Sequence, residues 1–240
     1  MEEVEQTLPD YSLVPEYDSS IIFTTRGCIR NCSFCSVPKI EPNFKANKSI
    51  RHLIYPGHKK VILWDNNILA SPYWVDIYNE LFELKLVVDF NQGLDARLFN
   101  DDTANQLKSL KVSTIRLAYD SDPIKPSLKK AIDALKAVGI RGREILVYCL
   151  YNHHESPEDF LRRIKEIMNF GVVAYPMRYE PLLPSPKNTY ISDLWTSAQL
   201  EMLAKARRVI GYGGAFPPYE GLRKKIIDAK NFEQAFALRN

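Results

Sequence analysis

No stretch of this chain is apolar for long enough to cross a bilayer as a helix. The opening residues, Met1 to Asp10, are acidic and hold no apolar core, so they do not read as a secretory signal. Charge of neither sign dominates: 32 Lys and Arg stand against 29 Asp and Glu, a net of +3. Such a balance neither implies nor excludes a nucleic-acid partner. Cysteine is scarce, with four in 240 residues. Three of the four crowd one short loop, which is no disulfide framework. Free thiols suit a reducing cytoplasm, where the protein is expected. Internal repeats and low-complexity tracts are missing too. What is present is 45% hydrophobic residues, enough for one domain with a substantial core.

Two kinds of segment alternate along the chain. Ser20–Thr25, Lys60–Asp65, Leu86–Asn91, Thr114–Tyr119, Glu144–Tyr151 and Val172–Tyr179 read as strands. Their near-continuous apolar runs suit a parallel sheet covered by helices. Between them lie helix signals. Ser71-Pro72 opens a helix to about Leu84, Leu128 to Val138 repeats at helical spacing before Gly139, and Ser156-Pro157 opens a helix to Phe170. The fold class is therefore α/β with parallel crossovers. A partial (β/α)6 barrel and a doubly wound sheet both satisfy the pattern. After Tyr179 the character changes. Pro181, Pro184 and Pro186 break regular structure, a helix spans about Ser197 to Ile210, and an amphipathic helix covers Tyr219 to Leu238. The expected organisation is an N-terminal extension over 1–19, a barrel over 20–180 and a C-terminal helical extension over 181–240.

Cys28, Cys32 and Cys35 stand in the run Thr24-Thr25-Arg26-Gly27-Cys28-Ile29-Arg30-Asn31-Cys32-Ser33-Phe34-Cys35, a C-x3-C-x2-C spacing. Thiolates are soft ligands that favour iron–sulfur clusters or zinc. Three of them cover three irons of a cubane and leave the fourth open. A structural zinc site needs a fourth protein ligand, which only Cys149, His52 or His58 would supply. Inert, buried cysteines are the third reading.

The run resembles the signature of the radical S-adenosylmethionine enzymes, and the resemblance extends from about Ser20 to Tyr179. The flank Thr-Thr-Arg-Gly-Cys is similar to the branch of methylthiotransferases and cobalamin-dependent members. It implies a 4Fe-4S cluster on Cys28, Cys32 and Cys35, with S-adenosylmethionine chelating the open iron. It also implies the partial barrel and an external one-electron donor of flavodoxin or ferredoxin type. In such a fold the chemistry sits at the C-terminal ends of the strands. Phe34 then flanks the adenine. Asp65, Asn66 and Asn67 follow the second strand, where the family has a Gly-Gly-Glu type motif for the cofactor's amino group. This chain departs from that motif but keeps acceptors suited to an ammonium. A plain turn would use the same residues. Gln92 lies in the polar run Asp89 to Arg97, which faces cofactor or substrate, or else is a loop with a solvated Asp95–Arg97 pair. Asp120 matches a carboxylate for ribose or amino group, Asn152 a ribose contact, and Arg178 a carboxylate contact. His153 and His154 are metal ligands, acid–base groups or merely exposed. Cys149, mid-strand, is core or, as in spore photoproduct lyases, a hydrogen donor. A second cluster would need three further cysteines, so a self-contained methylthiotransferase is not expected, and the residues before the first strand are too few for a cobalamin domain. The expected function is formation of a 5′-deoxyadenosyl radical that takes hydrogen from an unidentified nucleic acid, peptide or small molecule. The alternative is a zinc-stabilised nucleic-acid-binding module using Arg207, Arg208, Lys224 and Lys225.

Overall fold

The computed structural model describes residues 5–182, 186 and 188–238. Pro184 and the first four residues of the acidic start lie outside the described residues. The chain divides into two compact units, one of residues 1–116 with 133–140 and the other of residues 117–132 with 141–240. Among the described residues, no helix is long and apolar enough to cross a membrane.

The first unit is built on a four-stranded sheet. Its strands are β1 (Ser19–Ile22), β4 (Lys60–Leu63), β5 (Val87–Phe90) and β6 (Lys111–Val112), in the order β1-β4-β5-β6 and all parallel. Ile22 pairs with Leu63, and Leu63 with Phe90, so apolar residues stack across the sheet. Val61, Leu63, Val88 and Phe90 are buried with Ile77 and Leu81 of the helix Trp74–Leu84. Two residues of β2 (Thr25–Arg26) pair antiparallel with β3 (Lys45–Ala46). A short α1 (Val37–Ile40) lies between them in sequence, α2 is Trp74–Leu84, and α3 is Asp101–Ser109.

The second unit carries the two longest strands among the described residues. Here β7 (Ile115–Ala118), β8 (Ile145–Tyr151) and β9 (Val173–Arg178) lie in that order, with β8 and β9 parallel over six register pairs from Leu146–Val173 to Tyr151–Arg178. α4 (Lys125–Ala137) runs across the boundary between the units. α5 (Pro157–Asn169), α6 (Ser197–Val209), α7 (Glu220–Asp228) and α8 (Phe232–Phe236) follow. Ser156 caps α5 with a reciprocal bond to Asp159, and Gly171 ends it at φ 66°. An aromatic cluster of Phe160, Trp195, Phe216, Phe232 and Phe236 fills the core, with Phe232 and Phe236 ring centroids 4.9 Å apart.

Every strand expected from sequence is present, five of them within two residues at either end; the first stops at Ile22, three residues short of Thr25, which opens β2 instead. Three expectations about helices change. Ser71 does not cap α2: it ends a 3-10 turn over Ile68–Ala70, and α2 starts at Trp74. The long helix over Tyr219–Leu238 is two, because Ala229 is extended (φ −61°, ψ 136°) and the Asn231 side chain accepts from Gln234 N to start a new one. α3 was not foreseen, although Asn100 caps it by accepting from Thr103 N, and Asp101 and Asp102 fill its first turn.

Candidate functional site

The cysteine loop starts where β2 ends. Gly27 has φ +71°, and a Cβ there would lie 2.5 Å from the Asn43 carbonyl oxygen, so only glycine fits. Gly27 N donates to Glu41 Oε2 at 2.7 Å, and Asn66 Nδ2 donates to the same oxygen at 3.0 Å. Arg26 ion-pairs with Glu41. From the end of β4, Asp65 reaches the entry to the loop. Its Oδ1 accepts from Thr24 N (2.7 Å), Thr24 Oγ1 (2.8 Å), Thr25 Oγ1 (2.9 Å) and Thr25 N. Burial pushes its carboxyl up to about 6, against the pull of those four bonds.

All three thiols are free and half-buried. Cys28 Sγ accepts from Arg30 N at 3.4 Å and Asn67 Nδ2 at 3.6 Å. The Asp95 carboxylate gathers the surrounding donors. It accepts from Asn67 Nδ2 (3.2 Å), Arg30 Nε (2.9 Å), Arg97 Nε (2.7 Å), Arg97 Nη2 (3.1 Å) and Arg97 N (3.1 Å). Burial pushes the Asp95 carboxyl up, but the bonds from Arg97 and Arg30 outweigh it and hold it below the usual range. Burial also raises the Cys32 thiol; the charge and N–H of Arg97 oppose the rise, and Cys35 and Cys28 add to it. Two buried acceptors, Asn67 Oδ1 and Asp65 Oδ2, have no hydrogen-bond partner. Asp95 and Arg97, for which the sequence left open a solvated pair or a face toward cofactor or substrate, are tied into the cysteine loop through Arg30 and Asn67. Its signal was charge just past β5, and Arg30 lay in plain view between two cysteines.

Three soft thiols on one loop are a donor set that suits an iron–sulfur cluster. Among the described residues, no three His, Cys, Asp or Glu side chains converge on one point as the ligands of one metal ion do. Thiolates on a cubane each take a separate iron. The histidines that would complete a zinc site are engaged elsewhere: His58 Nδ1 with Ser20 Oγ at 2.9 Å, and His52 Nε2 with Gln6 Oε1 at 3.0 Å. An orphaned amide oxygen beside Cys28 also fits an ammonium group, which brings donors and no acceptors.

Phe34, half-buried on the loop, and Gln92, exposed after β5, complete the expected residues of the first unit. The second unit holds Asp120, Asn152 and Arg178. Asp120 is half-buried, and its carbonyl accepts from Arg163 Nη1 at 3.3 Å. Asn152 is fully buried at φ +64°. Its Nδ2 donates to Tyr190 O (3.0 Å) and Tyr179 O (3.4 Å), and its Oδ1 accepts from Ser192 N (3.0 Å). That side chain ties the segment after β9 to the end of β8. Arg178 donates to the carbonyls of Asn188 (3.0 Å) and Tyr190 (2.8 Å) and ion-pairs with Glu180 at 3.2 Å, so the carboxylate it meets belongs to this chain. His153 meets Tyr179 edge-to-face at 4.5 Å between centroids; burial and the charge of His154 lower its basicity. Arg163, which sequence reasoning passed over, is 1% exposed, donates to Leu150 O at 2.9 Å and ion-pairs with Glu155. Cys149 is wholly buried in β8, and burial pushes its thiol up to about 11.

No family profile matches this chain, and no curated protein does. Solved structures do. The radical S-adenosylmethionine methyltransferase TsrM from Kitasatospora setae, solved with cobalamin and a 4Fe-4S cluster bound, is 13% identical, with a TM-score of 0.54 over 66% of this chain and 36% of its own. The same enzyme with tryptophan substrate and an aza analogue of the cofactor gives 12% identity and a TM-score of 0.55 over 80% and 40%. Coproporphyrinogen III oxidase (HemN) from Escherichia coli, a radical SAM enzyme, is 14% identical, with a TM-score of 0.56 over 97% of this chain and 63% of its own. This chain therefore spans less than two thirds of each of those chains. At these identities the likeness is one of fold: the chain has the partial-barrel fold of the radical S-adenosylmethionine enzymes.

Proposed function

We propose that this protein is a radical S-adenosylmethionine enzyme that holds one 4Fe-4S cluster on Cys28, Cys32 and Cys35. The observation that carries the reading is the set of three free thiols on one braced loop, with N–H donors already aimed at Cys28 Sγ. When bound, the cluster supplies the electron that cleaves the sulfonium of S-adenosylmethionine to methionine and a 5′-deoxyadenosyl radical. The chain's own residues do the holding. Gly27 lets the loop turn tightly against residues 41–43, and Asp65 pins its entry through Thr24 and Thr25. Asn67 Oδ1 and Asp65 Oδ2 are acceptors for the cofactor's ammonium. Asn66 holds Glu41, and through it Gly27. Phe34 offers a ring for the adenine, and Gln92, Asp120 and Arg178 supply polar groups after their strands. Asn152 acts on the cofactor only through the backbone that it orders, because its amide is already bonded. An external one-electron donor reduces the cluster, in a reducing cytoplasm, and the radical takes hydrogen from an unidentified substrate.

Anaerobic reconstitution tests the reading: about four irons and four sulfides per chain are expected. The Cys28→Ala/Cys32→Ala/Cys35→Ala protein should lose the broad visible absorption, and iron kept by it would overturn the assignment. Reduced protein with S-adenosylmethionine should release 5′-deoxyadenosine and methionine. Asn67→Ala and Asp65→Ala should weaken cofactor binding while iron is retained. Unchanged binding in both would remove these two residues from the site.

A further inference from the structure

One carboxylate oxygen joins the cysteine loop to the turn that follows β4. Glu41 Oε2 accepts from Gly27 N at 2.7 Å and from Asn66 Nδ2 at 3.0 Å. The first donor is the backbone amide just before Cys28. The second belongs to the residue between Asp65 and Asn67, whose Oδ2 and Oδ1 are buried without partners. A carboxylate oxygen has two lone pairs, and both are used here. The other oxygen of Glu41 ion-pairs with Arg26, one residue before Gly27. The Glu41 side chain is 18% exposed, so water competes little for these charge-assisted bonds. Its backbone is anchored as well. Glu41 N donates to Val37 O at 2.8 Å, and a Cβ on Gly27 would lie 3.0 Å from Glu41 O. The chain from Gly27 to Glu41 is thereby closed into a ring that contains all three cysteines of the motif.

All three residues of the turn reach the loop. Asp65 holds Thr24 and Thr25, and Asn67 donates toward Cys28 Sγ at 3.6 Å. Asn66 alone does so through a residue that lies beyond Cys35. A ligand that must meet the cysteine loop and the acceptors of the turn at once is sensitive to their separation. Resting on the functional reading above, we propose that Glu41 is a positioning residue for cofactor binding: its shared oxygen fixes the amide before Cys28 against the turn that carries Asp65 Oδ2 and Asn67 Oδ1. The ring is closed by the chain's own hydrogen bonds, so this positioning precedes the cluster and does not depend on it.

The test has two readouts, and the first needs no cluster. The full chain has ten glycines, so isotope labelling of glycine lets nuclear magnetic resonance follow hydrogen exchange at the Gly27 amide. In cluster-free Glu41→Ala that amide should exchange at least about tenfold faster than in wild type, because it loses a bond to a charged acceptor. Unchanged exchange would overturn the proposal. The second readout is equilibrium dialysis of S-adenosylmethionine against the anaerobically reconstituted full chain, with iron counted in each variant. Glu41→Ala and Asn66→Ala should each bind it at least about tenfold more weakly while iron is retained. The double variant should bind no more weakly than the weaker single one, because both cut the same path. Wild-type affinity in either single variant, or losses that add in the double, would overturn the proposal. Glu41→Gln keeps an acceptor oxygen and should outperform Glu41→Ala in both readouts; no difference between the two would assign the effect to lost charge and overturn the shared-oxygen role. If Glu41→Ala takes up no iron, Glu41→Asp, one methylene too short to reach both donors, takes its place. Loss of iron there too would make Glu41 a brace for the cluster alone and overturn the proposal as well. Wild-type protein that takes up no cluster, or no S-adenosylmethionine, would bring down the functional reading and this inference together. Wild-type protein that takes up both, with Glu41→Ala its equal, would remove this inference alone.

Discussion

The strands beside the cysteine loop, Ser19–Ile22, Lys60–Leu63 and Val87–Phe90, have four residues each, whereas Ile145–Tyr151 has seven and Val173–Arg178 has six. The short strands end early, and polar side chains take over at once: Asp65 to Asn67 after β4, and Asn91 to Arg97 after β5. Among the described residues of that unit, the buried side-chain atoms without partners are Asp65 Oδ2 and Asn67 Oδ1, and neither belongs to an ion pair. In the second unit, four of the five such atoms belong to Arg163, Glu155, Arg178 and Glu180, which form ion pairs among themselves, and Ser192 Oγ is the exception. An orphaned acceptor left beside a reactive loop is a candidate ligand contact; an orphan inside an ion pair is a matter of geometry. On the proposed function, the cysteine loop and the two orphaned acceptors lie in the first unit, while the orphans of the second are mostly members of ion pairs.

The largest effect expected is on Arg163. Arg163→Met strands Glu155 and removes two carbonyl contacts, so urea unfolding should show a loss of about 3–5 kcal/mol. Iron content should not change, and loss of iron on that substitution would break the division of labour. Next comes Asp65, whose folded pKa of about 6 lies above its usual 3.8. A raised pKa means that the folded state holds the proton more tightly than the unfolded state. Its stabilisation is therefore full below pH 3.8 and is lost as the pH rises to about 6, on the order of 3 kcal/mol at 1.36 kcal/mol per unit. Asp65→Asn should flatten that part of the stability–pH profile, and an unchanged slope would assign the titration elsewhere.

Asn152→Ala should cost about 1–3 kcal/mol, since it strands two carbonyls and one N–H. Asn152→Gly should cost less than Asn152→Ala, because φ +64° strains alanine and not glycine. Equal losses by thermal unfolding would show that backbone strain is minor there. The smallest effect is on Cys149. Cys149→Ala should cost roughly 1–2 kcal/mol and leave deoxyadenosine formation intact. With a thiol pushed up to about 11 and no exposure, Cys149 should resist alkylation at pH 8 until the protein is unfolded. An altered product distribution in a stable Cys149→Ala protein would instead give it a part in the chemistry.

Much of this molecule was legible in its residues. Apolar runs such as Lys60 to Leu63 marked the strands, and Ser156-Pro157 and Gly171 marked both ends of one helix. The C-x3-C-x2-C run, read with the strand–helix pattern around it, pointed to an iron–sulfur cluster, with zinc as the other metal its thiols suit. Less legible were features set by partners distant in sequence. Asp65 stood out as a polar residue after a strand, but its four donors come from Thr24 and Thr25, some forty positions earlier. Asn152 looked like an open ligand group and is instead closed by Tyr179, Tyr190 and Ser192.

Sequence alone determined which residues are thiols, how closely they are spaced and which segments are apolar enough to form strands, because periodicity and ligand chemistry are local properties. Tertiary structure alone decided which acceptors keep a free lone pair and which cations reach the cysteine loop. Asp95 lies 65 residues from Arg30, and only chain folding brings two such groups within hydrogen-bond distance.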